Sequence, residues 1–295
     1  SAYAKLSNAD FQKAYIKASN THQFMNFGTS VAVSGSTMVV GADYEDNDAT
    51  GVNGDDNSGI LFSSGAAYVF VRQNGQWSQQ AYLKASNTGS GDNFGSSVAI
   101  SGNTIVVGAI NEDSNATGVN GDQHNNLSEK SGAAYIFKRE NGEWFQQAYL
   151  KASDTEPEST ELGDQFGWSV AIWGDTVVVG GYFSATAYVF KRTNDVWSQD
   201  AYLEASSADA SHLFSRAVAI SRQTIVVGDF YDRSIARFSG AVYVFVEQDN
   251  TWIEQAYLKA SNSDESEHFG YAGAMHDDTL VVGAVGEDSH ATGVN

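Results

Sequence analysis

Oxygen-rich stretches are the first places in this chain where chemistry could sit. Three of them read YEDNDATGVNGDDNSG from Tyr44, NEDSNATGVNGDQHNN from Asn111 and GEDSHATGVN from Gly286. Carboxylate and amide oxygens gathered around a glycine are the donor set that Ca²⁺ takes. In the first stretch the candidate metal ligands are Glu45, Asp46, Asn53 and Asp55. Glu112, Asp113, Asn120 and Asp122 are their equivalents in the second. The competing reading is local: Asn and Asp side chains bond their own backbone and shape turns without any metal.

A second grouping mixes rings with guanidiniums. The stretch GDFYDRSIARFSG carries Phe230, Tyr231, Arg233 and Arg237, and Trp168 and Trp173 stand in an earlier, related segment. Aromatic and arginine side chains together are common anchors of binding surfaces. Phe230, Tyr231, Arg233, Arg237 and Trp168 are therefore the candidate ligand-binding residues, against the plainer reading of a loop packed over its own strands. Catalytic constellations are thin. The six histidines have no serine or aspartate at triad spacing, and no H-x-x-x-H, G-x-S-x-G or P-loop occurs. The residues point away from an enzyme.

These residues hang on a repeat. FGTSVAVSGSTMVVGA from Phe27 returns from Phe94 and Phe166, and in weaker form from Phe214 and Phe269. A second block, GAAYVFVRQNGQWSQQAYLKAS from Gly65, follows the first four copies. Each unit reads as four short strands joined by tight turns of the S-G-N-T and N-G-E kind. Four antiparallel strands per unit, repeated with glycine and aromatic landmarks, predict an all-β chain: a β-propeller of four-stranded blades. The aromatics that recur in every unit, such as Trp77, Trp144, Trp197 and Trp252, read as packing between blades. The unbroken apolar VVGA run reads as the inner, fully buried strand.

Residues 1–295 then form one domain of five blades, with repeats starting near 27, 94, 166, 214 and 269. Residues 1–20 are expected to complete the last blade, so that N- and C-terminal strands pair and close the ring. The chain also reads as a mature protein or a fragment, since ATGVN stops within an insertion.

Composition narrows the partners. With 36 acidic and 16 basic residues, a formal charge of −20 and no cysteine, the surface repels phosphate backbones, so nucleic acid is not an expected partner. No apolar run is long enough to span a membrane, and membrane insertion is not expected.

The F-G…V-G-A spacing resembles the FG-GAP repeat of integrin α-subunit propellers, and more closely the bacterial secreted proteins that carry tandem copies. The resemblance implies an extracellular or cell-surface, non-catalytic binding or adhesion module. Its ligand face would be the end carrying the links from strand two to three and from strand four to one. The partner would be a protein or carbohydrate on a cell surface or matrix. A lectin-like propeller, or a structural segment of a larger secreted protein, are the alternatives. Two departures matter. The proline of G-A-P is replaced by Asp43, Ile110, Tyr182, Phe230 and Val285. The family's calcium loop between strands one and two is here a tight turn with too few oxygens. Calcium, if bound, is expected in the insertions instead.

Overall fold

In a computed structural model the chain is all β; the structure describes residues 14–155, 163–206 and 213–288. Four complete blades follow one another as four-stranded antiparallel sheets. Blade 1 holds β1 (Val31–Ser34), β2 (Thr37–Ala42), β3 (Ala66–Gln73) and β4 (Gln76–Leu83). Blade 2 holds β5 (Phe94–Ser101), β6 (Thr104–Ala109), β7 (Ala133–Glu140) and β8 (Glu143–Leu150). Blade 3 holds β9 (Ser169–Trp173), β10 (Thr176–Gly180), β11 (Thr186–Thr193) and β12 (Val196–Glu204). Blade 4 holds β13 (Ala217–Ser221), β14 (Thr224–Asp229), β15 (Ala241–Gln248) and β16 (Thr251–Leu258). Blade 5 contributes β17 (Phe269–His276) and β18 (Thr279–Ala284).

Local sequence explains the strands and their turns. Between the third and fourth strands, Asn74–Gly75 and Asn141–Gly142 both take positive φ, the mirror-image turn whose twist matches the flanking strands. The fourth strand carries one extra residue opposite the third in every complete blade, for example where the register shifts between Val69 and Phe70. That bulge turns Gln80 toward the next blade, where its Oε1 accepts the indole N–H of Trp144 at 2.9 Å. Gln147 accepts from Trp197 at 2.8 Å in the same way. Trp144, Trp197 and Trp252 are thus inter-blade contacts.

The core lies between blades. Val39, Val69 and Leu83 of blade 1 pack with Ile105, Tyr135 and Phe137 of blade 2, and the same arrangement repeats between blades 2 and 3 and between blades 3 and 4. The glycine of the second strand permits this closeness in blades 1 to 4. A Cβ on Gly108 would stand 2.1 Å from the carbonyl oxygen of Gly167 in the next blade, so only hydrogen fits.

One expectation needs correcting. The VVGA-type strands of blades 1 to 4 are buried, but they are second in each sheet. The first strands of successive blades, β1, β5, β9, β13 and β17, touch one another and form the inner wall. An unbroken apolar run marks burial on both faces, and here sandwiching between two blades supplies that burial without an axial position.

The fifth blade is described only as the β17–β18 pair. Residues 14–18, expected to form its outer strand, carry no strand, and residues 1–13 and 289–295 lie outside the described residues. Among the described residues, Val31 and Val33 at one end of the array and Val281 at the other are each more than 60% exposed.

Candidate functional site

The eight expected metal ligands are built into the fold by other partners. Glu45 and Glu112 are buried. The Lys84 ammonium donates to Glu45 Oε2 at 2.9 Å, to the Asn47 carbonyl at 2.7 Å and to Ser64 Oγ at 2.7 Å. Lys151 donates to Glu112 Oε2 at 2.9 Å and to Ser131 Oγ at 2.6 Å. Asn20 and Asn87, from the link entering each blade, donate to the second carboxylate oxygen of Glu45 and Glu112, at 2.8 and 2.9 Å. Both lysines are excluded from solvent, and burial pulls their pKa down while the facing glutamate opposes that shift. The lysine head group occupies the oxygen cradle that the sequence suggests for a metal.

The remaining six shape the loops. Asp46 Oδ1 accepts the Ser63 N–H at 2.7 Å, and Asp113 Oδ1 the Lys130 N–H at 2.8 Å. Asn53 and Asn120 hold left-handed backbone and cap the fourth strand, their side-chain oxygens accepting the N–H of Tyr82 and Tyr149, each at 2.9 Å. Asp55 and Asp122 close one-turn caps on Asn57 and His124. Among the described residues no group of three or more His, Asp or Glu side chains converges to hold a metal ion.

A signal for the lysine was present in the sequence. Lysine recurs in AYLKAS where the insertion carries an acid, as Lys84 with Glu45 and Lys151 with Glu112. Blade 4 repeats the pair with Lys259 and Asp232, 2.8 Å apart. Burial raises the Asp232 pKa, but hydrogen bonds from Lys259 and Ser234 outweigh it and hold the carboxyl below its usual range. Blade 3 has neither partner: its insertion is the short GGYFSATAY, and Glu204 stands where the others have lysine.

The five expected ligand-binding residues are brought together. Phe230 is buried and touches Tyr231 edge-on, with ring centroids 4.4 Å apart. Tyr231 meets Phe238 at 4.7 Å, and both Arg233 and Arg237 lie over the Phe238 ring, at 4.6 and 4.8 Å. Trp168 joins from blade 3 through a residue that sequence reasoning missed, Arg216. Its guanidinium stands 5.4 Å from the Trp168 ring, 4.9 Å from Tyr182, 4.6 Å from Phe230 and 4.6 Å from Tyr271. Its terminal nitrogen donates to Tyr271 Oη at 3.2 Å. His268 completes the surface, stacked on Phe238.

Strand ends explain the convergence. Trp168, Arg216 and Tyr271 occupy the position two after the repeat phenylalanine in blades 3, 4 and 5, at the start of an inner strand. Tyr182 and Phe230 follow the second strands of blades 3 and 4, at the same end of the fold. The equivalents in blades 1 and 2 are Thr29, Ser96, Asp43 and Ile110, so the ring cluster belongs to one side of the array.

The histidines form no catalytic pair among the described residues. His276 lies 3.9 Å from Asp277 on an exposed turn, and His268 is held in the ring stack.

Comparisons with known proteins bear on the fold. Among solved structures, one from Bacteroides uniformis ATCC 8492, assigned as a 6-phosphogluconolactonase, is similar at 11% identity with a TM-score of 0.39. The match covers 82% of this chain and 74% of that one, and at this distance it carries no argument about fold or activity. No curated protein matches the chain. The family model described as FG-GAP repeat matches residues 11–70, 77–137, 144–190, 197–245 and 252–294. The second, third and fourth matches each begin in the fourth strand of one blade and run into the third strand of the next; the fifth begins in β16 and covers β17 and β18. Five matches spanning nearly the whole chain, on blades whose glycines and aromatics make the contacts just described, establish that the chain belongs to the FG-GAP repeat family.

Proposed function

We propose that this propeller is a non-catalytic binding or adhesion module displayed outside the cell. Its ligand face is the end carrying the two-to-three and four-to-one links, centred on blades 3, 4 and 5. The observation that carries this reading is the continuous surface from Trp168 through Arg216, Phe230 and Tyr231 to Arg233 and Arg237. A specific site requires asymmetry in a repeated ring, and this is where the blades differ most. Among the described residues the opposite end carries short turns such as Ser101–Thr104. The lectin-like alternative rests on the ATGVNGD loops, and it has less support because Asn53 and Asn120 spend their side-chain oxygens on the fourth strand.

A glycan array and a pull-down from cell-surface and matrix proteins supply a binder. Binding by Arg233→Ala and Tyr231→Ala is then compared with binding by Asn103→Ala in a turn at the other end. The first two are expected to weaken binding and the third to leave it unchanged. The reverse pattern would put the ligand face at the wrong end.

A further inference from the structure

We infer that the Arg216 cluster is a receptor for carboxylate groups and that its ligand is an acidic peptide segment, an inference that rests on the ligand face proposed above. The argument starts from charge. Of the seven arginines, only Arg192 and Arg222 pair with a carboxylate among the described residues, so the feature to be explained is where the donors of the others go. Arg216, Arg233 and Arg237 make no ion pair among the described residues. Two other arginines without carboxylates use their donors on neutral oxygens: Arg72 on the Gly75 carbonyl, and Arg139 on Asn103 and Gln80. Arg216 uses one donor on Tyr271, and Arg233 and Arg237 use none on described side chains. Among the described residues, three guanidiniums therefore share one surface with most of their N–H groups unspent.

The rings decide what those donors are for. Trp168, Tyr182, Phe230 and Tyr271 surround Arg216 and hold the planar cation in place without neutralising it. A guanidinium fixed in this way keeps its fork of donors oriented for a carboxylate, and little rotamer entropy remains to be lost on binding. Ring faces turned toward Arg216 are not open for stacking against sugar rings. Ring edges carry the positive end of the aromatic quadrupole and so also favour an anion. Of the acids in the same loop, Asp232 pairs with Lys259 and Asp229 accepts the Tyr231 N–H. The acidic links around the cluster leave these arginines as the complementary patch for an acidic chain, and they repel one that approaches anywhere else.

The test uses the whole protein and three end-blocked hexapeptides, of glutamate, glutamine and lysine. Binding is read by Trp fluorescence and calorimetry at low and physiological salt. The glutamate peptide is expected to bind, to weaken as salt rises, and to lose at least about tenfold in affinity in Arg216→Gln. Arg216→Lys, which keeps the charge but not the fork, is expected to fall between the two. An unchanged melting curve shows that Arg216→Gln is folded. Equal binding of the glutamate and glutamine peptides, or full binding by Arg216→Gln, would overturn the carboxylate assignment. So would binding of the lysine peptide alone, or of none of the three. The face itself is judged separately, with the binder from the array or pull-down: it stands if Tyr231→Ala weakens that binder and falls if it does not.

Discussion

Replacing Lys151 with methionine tests whether the buried lysine is what holds the acidic insertions. The ammonium lies 2.9 Å from Glu112 Oε2 and 2.6 Å from Ser131 Oγ, and the two side chains of the ion pair are 0% and 2% exposed. In Lys151→Met the Glu112 carboxylate keeps only neutral donors, Asn87 Nδ2 at 2.9 Å and Ser114 Oγ at 3.3 Å. Breaking a buried pair by removing one partner costs about 3–5 kcal/mol, because the remaining charge is desolvated without compensation. That is a large part of the roughly 5–15 kcal/mol that holds a typical domain together. Lys151→Met with Glu112→Gln removes both charges and leaves Asn87 an acceptor, so at least half of the loss is expected to return. The assay is urea unfolding followed by fluorescence, comparing midpoints at unchanged slope. A single variant within about 1 kcal/mol of the parent, or a double variant no more stable than the single, would refute the reasoning.

Three further outcomes are expected. Burial, then the nearby Glu112 and Asp113 charges, push the Asp92 carboxyl up to about 7, against a hydrogen bond from the Gly89 N–H. A raised folded pKa means that the native state binds the extra proton between about pH 4 and 7, so stability is lost across that window as pH rises. Asp92→Asn is therefore expected to stabilise the protein at pH 8 and not at pH 4, in paired melting curves; an equal effect at both would refute the assignment. If residues 1–20 complete the fifth blade, Lys17 takes the place of Lys84, because AYIKASN from Ala14 repeats AYLKASN from Ala81. Lys17→Met should then cost as much as Lys84→Met, and a silent substitution would sink the closure. Finally, Glu45 and Glu112 are committed to lysines, so melting curves in millimolar calcium and in chelator are expected to coincide; a calcium-dependent rise would place a cation on the exposed loop carboxylates.

Much of the fold was legible in the sequence because its signals are local. Apolar strands, Asn–Gly turns and landmarks recurring at each blade specify four antiparallel strands without reference to anything distant. Which strand lines the axis was not legible. SVAIS and VVGA are both apolar, and only stacking of one blade on the next decides which is sandwiched and which faces inward. The acids of the insertions looked like metal ligands because their partner is far away in the chain: Glu112 and Lys151 are 39 residues apart and meet only once the sheet forms. Arg216 was invisible for the same reason. In sequence it is one polar residue at the start of a strand. Its meaning comes from rings supplied by three blades, and the folded array alone brings those to one point. Sequence by itself determined the repeat, the blade and the acidic character of the loops. Tertiary structure decided which charges neutralise one another inside the fold and which rings gather around Arg216.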